Sequence, residues 1–223
     1  MPRLPDPAPL AYGVRTLADF LHWLGDVPAE RVLLRPPPGL ANASDALRIE
    51  RQENRLCELI SGVLVEKPLG YKEASVAAAL LAALEQHVNA KKLGVVTGPE
   101  GLYRLGDHLV RAPSVAFCAA GSFRRDATPG EAVAGIIPQL VVEITDGSMS
   151  AELDRKLADY FFAGIKQIWV IDLARRTAAV HSSPTKCKSI PARGTLDGGR
   201  TLGGFKLPLA KLFEQFSSSK RRS

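Results

Sequence analysis

Aromatic side chains supply only 6% of this 223-residue sequence, cysteine occurs three times and histidine four. Each shortage excludes something. Cys57, Cys118 and Cys187 are odd in number, lie far apart and form no CxxC pair, so they outline neither a disulfide framework nor a structural zinc site. His22, His87, His108 and His181 lack the i, i+4 spacing that sets two imidazoles on one helix face. Any metal here would have to be held by carboxylates. No stretch reaches the roughly 18 to 20 apolar residues of a membrane span, and the start MPRLPDPAPL has no apolar signal-peptide core. The expectation is a cytoplasmic protein with no membrane partner.

What is present is ordinary globular material, 46% hydrophobic and 23% charged, enough to bury a core. The formal charge is +6 and the pI about 9.4. Lys220, Arg221 and Arg222 supply half of that charge in the last residues, so basicity permits nucleic-acid binding without demonstrating it.

Residues 1–44 read as an N-terminal extension. It has a Pro-rich start, an amphipathic stretch from Thr16 to Leu24, and then Pro36 to Pro38 with Gly39, which cannot continue a helix. The main domain is expected over 45–215, with Ser44 as a candidate helix cap, and 216–223 as a basic disordered tail. LCELI and VLVEK, joined by Ser61-Gly62, read as a hairpin. Val76, Leu80, Leu84 and Val88 mark a core helix from Ser75. QLVVEIT is nearly all apolar, as expected of a strand buried on both faces. AELDRKLADYFFAG reads as a helix with Ser150 at its N-cap, and IKQIWVID as another buried strand. Strand, helix and strand at this spacing imply an α/β or α+β fold with a mixed sheet.

Glu143 interrupts LVVEI, where an ionised carboxylate costs several kcal/mol unless it is compensated. Alternation places it with Gln139, Val141 and Thr145 on one face. Lys156 shares a helical stripe with Leu153, Leu157, Tyr160 and Phe161, from which its long side chain can reach back toward Glu143. Alternatively, Glu143 is a buried ion-pair partner and Lys156 a lysine covering apolar surface. Asp172 suits a turn, Asp154 and Asp159 suit a solvated helix face, and Trp169 suits the core. Lys72, Lys91, Lys92, Arg124 and Arg125 are candidate phosphate contacts that also fit an ordinary soluble surface.

In their order and spacing, CELISGVLVEKP, LVRAPSVAF, PQLVVEITDGS, RKLADYFFAGIKQIWVID and TLDGGRTLGGFKLPL resemble the Uma-type (Uma two) restriction endonucleases of the PD-(D/E)XK nuclease superfamily. The resemblance runs from about Arg48 to Phe213. It implies a restriction-endonuclease-like mixed central sheet flanked by helices, with an N-terminal hairpin. It also implies DNA as partner, Mg²⁺ (or Mn²⁺) as cofactor, and a homodimer by analogy. An Asp and a Glu would hold the metal, and a Lys would orient or activate water. Glu143 and Lys156 match two of these positions, the lysine having moved from the strand, where Thr145 stands, to the helix.

The third position departs from the pattern. Where the family has Pro-Asp-Val, this chain has Pro113-Ser114-Val115, and a neutral hydroxyl replaces an anionic ligand. Glu58 is then either a second carboxylate for the site or an exposed strand-end acid. The expected function is a metal-dependent endonuclease hydrolysing DNA phosphodiester bonds, impaired by Ser114. The alternative is a catalytically inactive nuclease fold that binds nucleic acid or protein.

Overall fold

The apolar run Leu140–Thr145 lies in the interior of a six-stranded sheet, as it must if both its faces are to leave water. The computed structural model describes residues 13–68, 70–123, 133–134, 136–147 and 150–214. The strands are β1 (Val32–Leu33), β2 (Cys57–Ile60), β3 (Val63–Glu66), β4 (Gly94–Thr97), β5 (Tyr103–Gly106), β6 (Leu109–Arg111) and β7 (Val115–Ala119). They continue with β8 (Val133–Ala134), β9 (Leu140–Thr145), β10 (Gln167–Asp172), β11 (Thr177–Ser183), β12 (Lys186–Ile190), β13 (Thr195–Asp197) and β14 (Lys206–Pro208). The helices are α1 (Leu17–Trp23), α2 (Ala43–Glu53), α3 (Tyr71–Ala90), α4 (Ala151–Phe162) and α5 (Ala210–Phe213).

Two six-stranded sheets form, ordered β1-β3-β2-β6-β5-β8 and β12-β11-β10-β9-β7-β4, beside the small pair β13-β14. The fold is therefore mixed α+β, with helices flanking two larger sheets where the sequence suggested one. In the second sheet β9 and β10 are parallel and α4 is their crossover, while the other pairs are antiparallel. Alternation along β9 divides the core. Leu140, Val142 and Ile144 pack with Val76, Leu80 and Leu84 of α3, whereas Val141 packs with Leu153, Leu157 and Tyr160 of α4. Trp169 is fully buried on the α3 side.

The β2-β3 hairpin turns through Ser61 (φ 48°) and Gly62 (φ 80°), the positive-φ pair that lets a two-residue loop follow the strand twist. A side chain at Gly62 would also strike the Gly39 backbone at 2.5 Å. Of the segment before Ser44, the described residues 13–43 pack on this sheet. β1 pairs with β3, and Phe20, Leu24 and Val27 cover Ile60, Val63 and Val65.

Capping differs from the expectation in one place. Asn42, not Ser44, caps α2. Its side chain accepts from the Ser44 and Asp45 amides, and Asp45 bonds back to the Asn42 amide to close a capping box. Ser150 does cap α4, accepting from the Leu153 amide at 3.2 Å. The core helix begins at Tyr71, four residues before Ser75. Arg124, Arg125 and the 216–223 tail lie outside the described residues.

Candidate active site

Both sheets and α4 contribute to one buried polar cluster beside the carboxyl end of the parallel pair, where open α/β sheets commonly bind ligands. Glu143 points from β9 toward α4 and is 4% exposed. Its Oε1 accepts from the Tyr160 hydroxyl at 2.5 Å, and its Oε2 lies 3.8 Å from the Lys67 Nζ. Tyr160 remains a neutral donor because burial, and then the Glu143 and Glu58 carboxylates, push its pKa well up.

Glu58 is buried, so it is not an exposed strand-end acid. Cys57 and Leu59 pack with α2 on one face of β2, and alternation turns Glu58 to the other. Its Oε2 accepts from Arg111 Nη1 at 2.7 Å, its Oε1 accepts from the Ala112 amide at 3.1 Å, and the Lys156 Nζ stands 3.2 Å from Oε1. Burial raises the Glu58 pKa. The charges of Lys156, Arg111 and Lys67, aided by the Ala112 amide, outweigh that effect and hold it at about 2.

Lys156 is buried on the stripe read from the sequence, yet its ion pair is with Glu58. Glu143 acts on it through charge. Although burial lowers the Lys156 pKa, the Glu143 and Glu58 carboxylates raise it above the ordinary value. Asp159 corrects another expectation. Instead of facing water, it accepts from Arg111 Nε at 3.1 Å and from Nη2 as well. Asp172 is the turn residue expected, its Oδ1 accepting from the Arg175 amide at 2.8 Å.

Ser114 lies beside β9. Its amide donates to the Val142 carbonyl at 2.9 Å and its Oγ accepts from the Ile144 amide at 3.3 Å. The hydroxyl thus ties a loop to a strand.

Sequence reasoning missed Lys67, Arg111, Tyr160 and Arg31 as parts of the site. Lys67 donates to the Ala112 carbonyl. Burial lowers its pKa, opposed by Glu143. A signal existed for Arg111, since an arginine inside the apolar run HLVRAP implies a buried partner. None existed for Lys67, because a lysine closing VLVEK before a proline looks like any strand end.

A cleft of about 380 Å³ opens on the cluster, lined among others by Arg31, Lys67, Glu143, Thr145, Glu152 and Lys156. Arg31 grips Glu152 with two hydrogen bonds of 2.8 Å. The close approach of the N-terminal segment to α4 needs Gly25 (φ 97°), where a Cβ would lie 2.8 Å from the Glu152 Cα.

The donor set does not fit Mg²⁺, which takes near-octahedral oxygen ligands and is bound through carboxylates. Both Glu58 oxygens are engaged by protein cations and an amide, and one Glu143 oxygen accepts the Tyr160 hydrogen bond. Position 114 offers a neutral hydroxyl already accepting a hydrogen bond. Among the described residues no three His, Cys, Asp or Glu side chains form a group that could hold a metal ion.

The chain belongs to the Uma2 family, described as "Putative restriction endonuclease", whose model matches residues 43–210. A solved structure described as that of a putative nuclease belonging to DUF820 from Anabaena variabilis shares its fold. The TM-score is 0.61, with 16% identity over 72% of this chain and 91% of that one. Among curated proteins none matches. Among the described residues no helix is long and apolar enough to cross a membrane.

Proposed function

We propose that this chain is a nuclease-fold protein that binds DNA at the cleft over Glu143 and whose hydrolysis of phosphodiester bonds is impaired. The observation that carries this reading is Ser114. An anionic ligand expected opposite Glu143 is replaced by a hydroxyl that serves as a backbone acceptor, while the rest of the polar cluster is intact. Binding tolerates that loss. Metal-assisted hydrolysis does not, because affinity for a hard divalent cation falls with ligand charge. Family membership supports a nucleic-acid substrate, and Lys67 and Lys156 supply cleft cations for backbone phosphate beside the lining carboxylates Glu73, Glu143, Asp146 and Glu152.

Cleavage of supercoiled DNA with Mn²⁺ by the unmodified protein and Glu143→Gln, beside DNA binding at two salt concentrations, tests this reading. The expected result is binding that weakens as salt rises, with no cleavage above the Glu143→Gln level. Cleavage by the unmodified protein that Glu143→Gln removes would make it an active endonuclease. Absence of DNA binding at either salt concentration would overturn the reading.

A further inference from the structure

The buried cluster is balanced in charge by its own side chains. Lys67, Arg111 and Lys156 face Glu58, Glu143 and Asp159, three cations against three carboxylates. An aspartate at 114 with an uncharged side chain at 67 would leave the same cluster two negative charges in excess, the deficit that one divalent ion fills. The serine and the lysine together remove that deficit. The position of the lysine matters as much as its charge. Lys67 donates to the carbonyl of Ala112, two residues before Ser114, and lies 3.8 Å from Glu143 Oε2. It therefore spans the gap between the Ser114 loop and the β9 carboxylate.

We infer that the Lys67 ammonium stands in for the divalent cation, so that the cleft binds backbone phosphate of DNA without metal. The inference rests on the nuclease-fold, DNA-binding reading above. An ammonium has three N–H donors. One is used by Ala112 and one faces Glu143, and because Lys67 lines the cleft the third can meet a phosphate oxygen. A fixed monovalent cation stabilises a bound phosphate but does not generate hydroxide from a coordinated water as a divalent ion does. Binding and hydrolysis are thereby separated.

Two measurements on the full chain test this. In the first, Mn²⁺ is titrated by calorimetry into the unmodified protein and into the double variant Ser114→Asp, Lys67→Met, whose folding is checked by thermal melting. Saturable heat is expected from the double variant and not from the unmodified protein. Saturable Mn²⁺ binding by the unmodified protein overturns the inference, a result that needs no variant to fold. In the second, a duplex oligonucleotide is bound in EDTA and in Mn²⁺. Equal affinity is expected for the unmodified protein, with a loss of roughly tenfold in Lys67→Met and a smaller loss in Lys67→Arg. A gain of tenfold or more on adding Mn²⁺ to the unmodified protein overturns it as well. Should no oligonucleotide bind under any condition, the DNA-binding reading fails, whereas the Mn²⁺ titration still decides whether Lys67 has replaced the ion.

Discussion

The ammonium of Lys156 stands 3.2 Å from Glu58 Oε1, so the helix lysine is anchored to the first sheet and not to the strand carboxylate it follows in sequence. Glu58 is shared between Lys156 and Arg111 and so ties β2 and β6 of the first sheet to α4. Removing it would leave the buried Lys156 without its ion-pair partner and Arg111 with Asp159 alone. Breaking a buried ion pair in this way costs roughly 3 to 5 kcal/mol. Glu58→Gln should therefore lower the unfolding free energy by about 3 kcal/mol or more, measured by urea denaturation. A loss under about 1 kcal/mol would mean that water reaches the cluster.

The same carboxylate sets a pH dependence. Its folded pKa of about 2 lies below the ordinary value of 4.5, so the unfolded chain takes up the proton first as pH falls. The stability contributed by Glu58 is complete above about pH 4.5 and is lost as pH drops toward 2, a contribution on the order of 3 kcal/mol. Urea midpoints across that window should fall more steeply for the unmodified protein than for Glu58→Gln. Parallel slopes would remove Glu58 as the cause.

The Arg31-Glu152 contact joins the N-terminal segment to the first turn of α4 at a part-buried site. Paired, charge-assisted hydrogen bonds exceed the worth of a surface salt bridge. A double-mutant cycle with Arg31→Ala and Glu152→Ala should give a coupling of about 1 kcal/mol or more. A coupling near zero would show that the apolar contacts of Phe20, Leu24 and Val27 hold the segment alone.

Thiol chemistry should separate the three cysteines. Cys57 and Cys118 are buried and Cys187 is exposed, and burial pushes the Cys57 thiol up to about 11. Since the thiolate is the reactive form, a colorimetric disulfide reagent at neutral pH should modify one thiol per native chain and three after unfolding. Rapid modification of two or more in the native protein would contradict the packing around β2 and β7.

Periodicity gave the helix Ala151–Phe162 and the strands β9 and β10 to within two residues at each end, and the helix Tyr71–Ala90 with its start four residues late, because each buries a stripe whose repeat is local. It also gave the faces, with Glu143 toward α4 and Lys156 on the buried side of that helix. Family-like spacing singled out Ser114 as a candidate for a lost acidic position. Spacing along the chain carried no sign that Lys67 would approach Glu143 or that Asp159 would take Arg111, since those pairs are 76 and 48 residues apart.

The sequence by itself determined the elements, their buried faces, and which carboxylate and lysine would be desolvated, since hydrophobic repeats act within a single helix or strand. The tertiary structure alone decided who neutralises whom. Burial makes a partner obligatory for each charge, but the partner's identity depends on how the hairpin, the second sheet and α4 meet in space. That meeting brings Lys67 to Glu143 and Glu58 to Lys156, and leaves Ser114 bonded to a backbone amide.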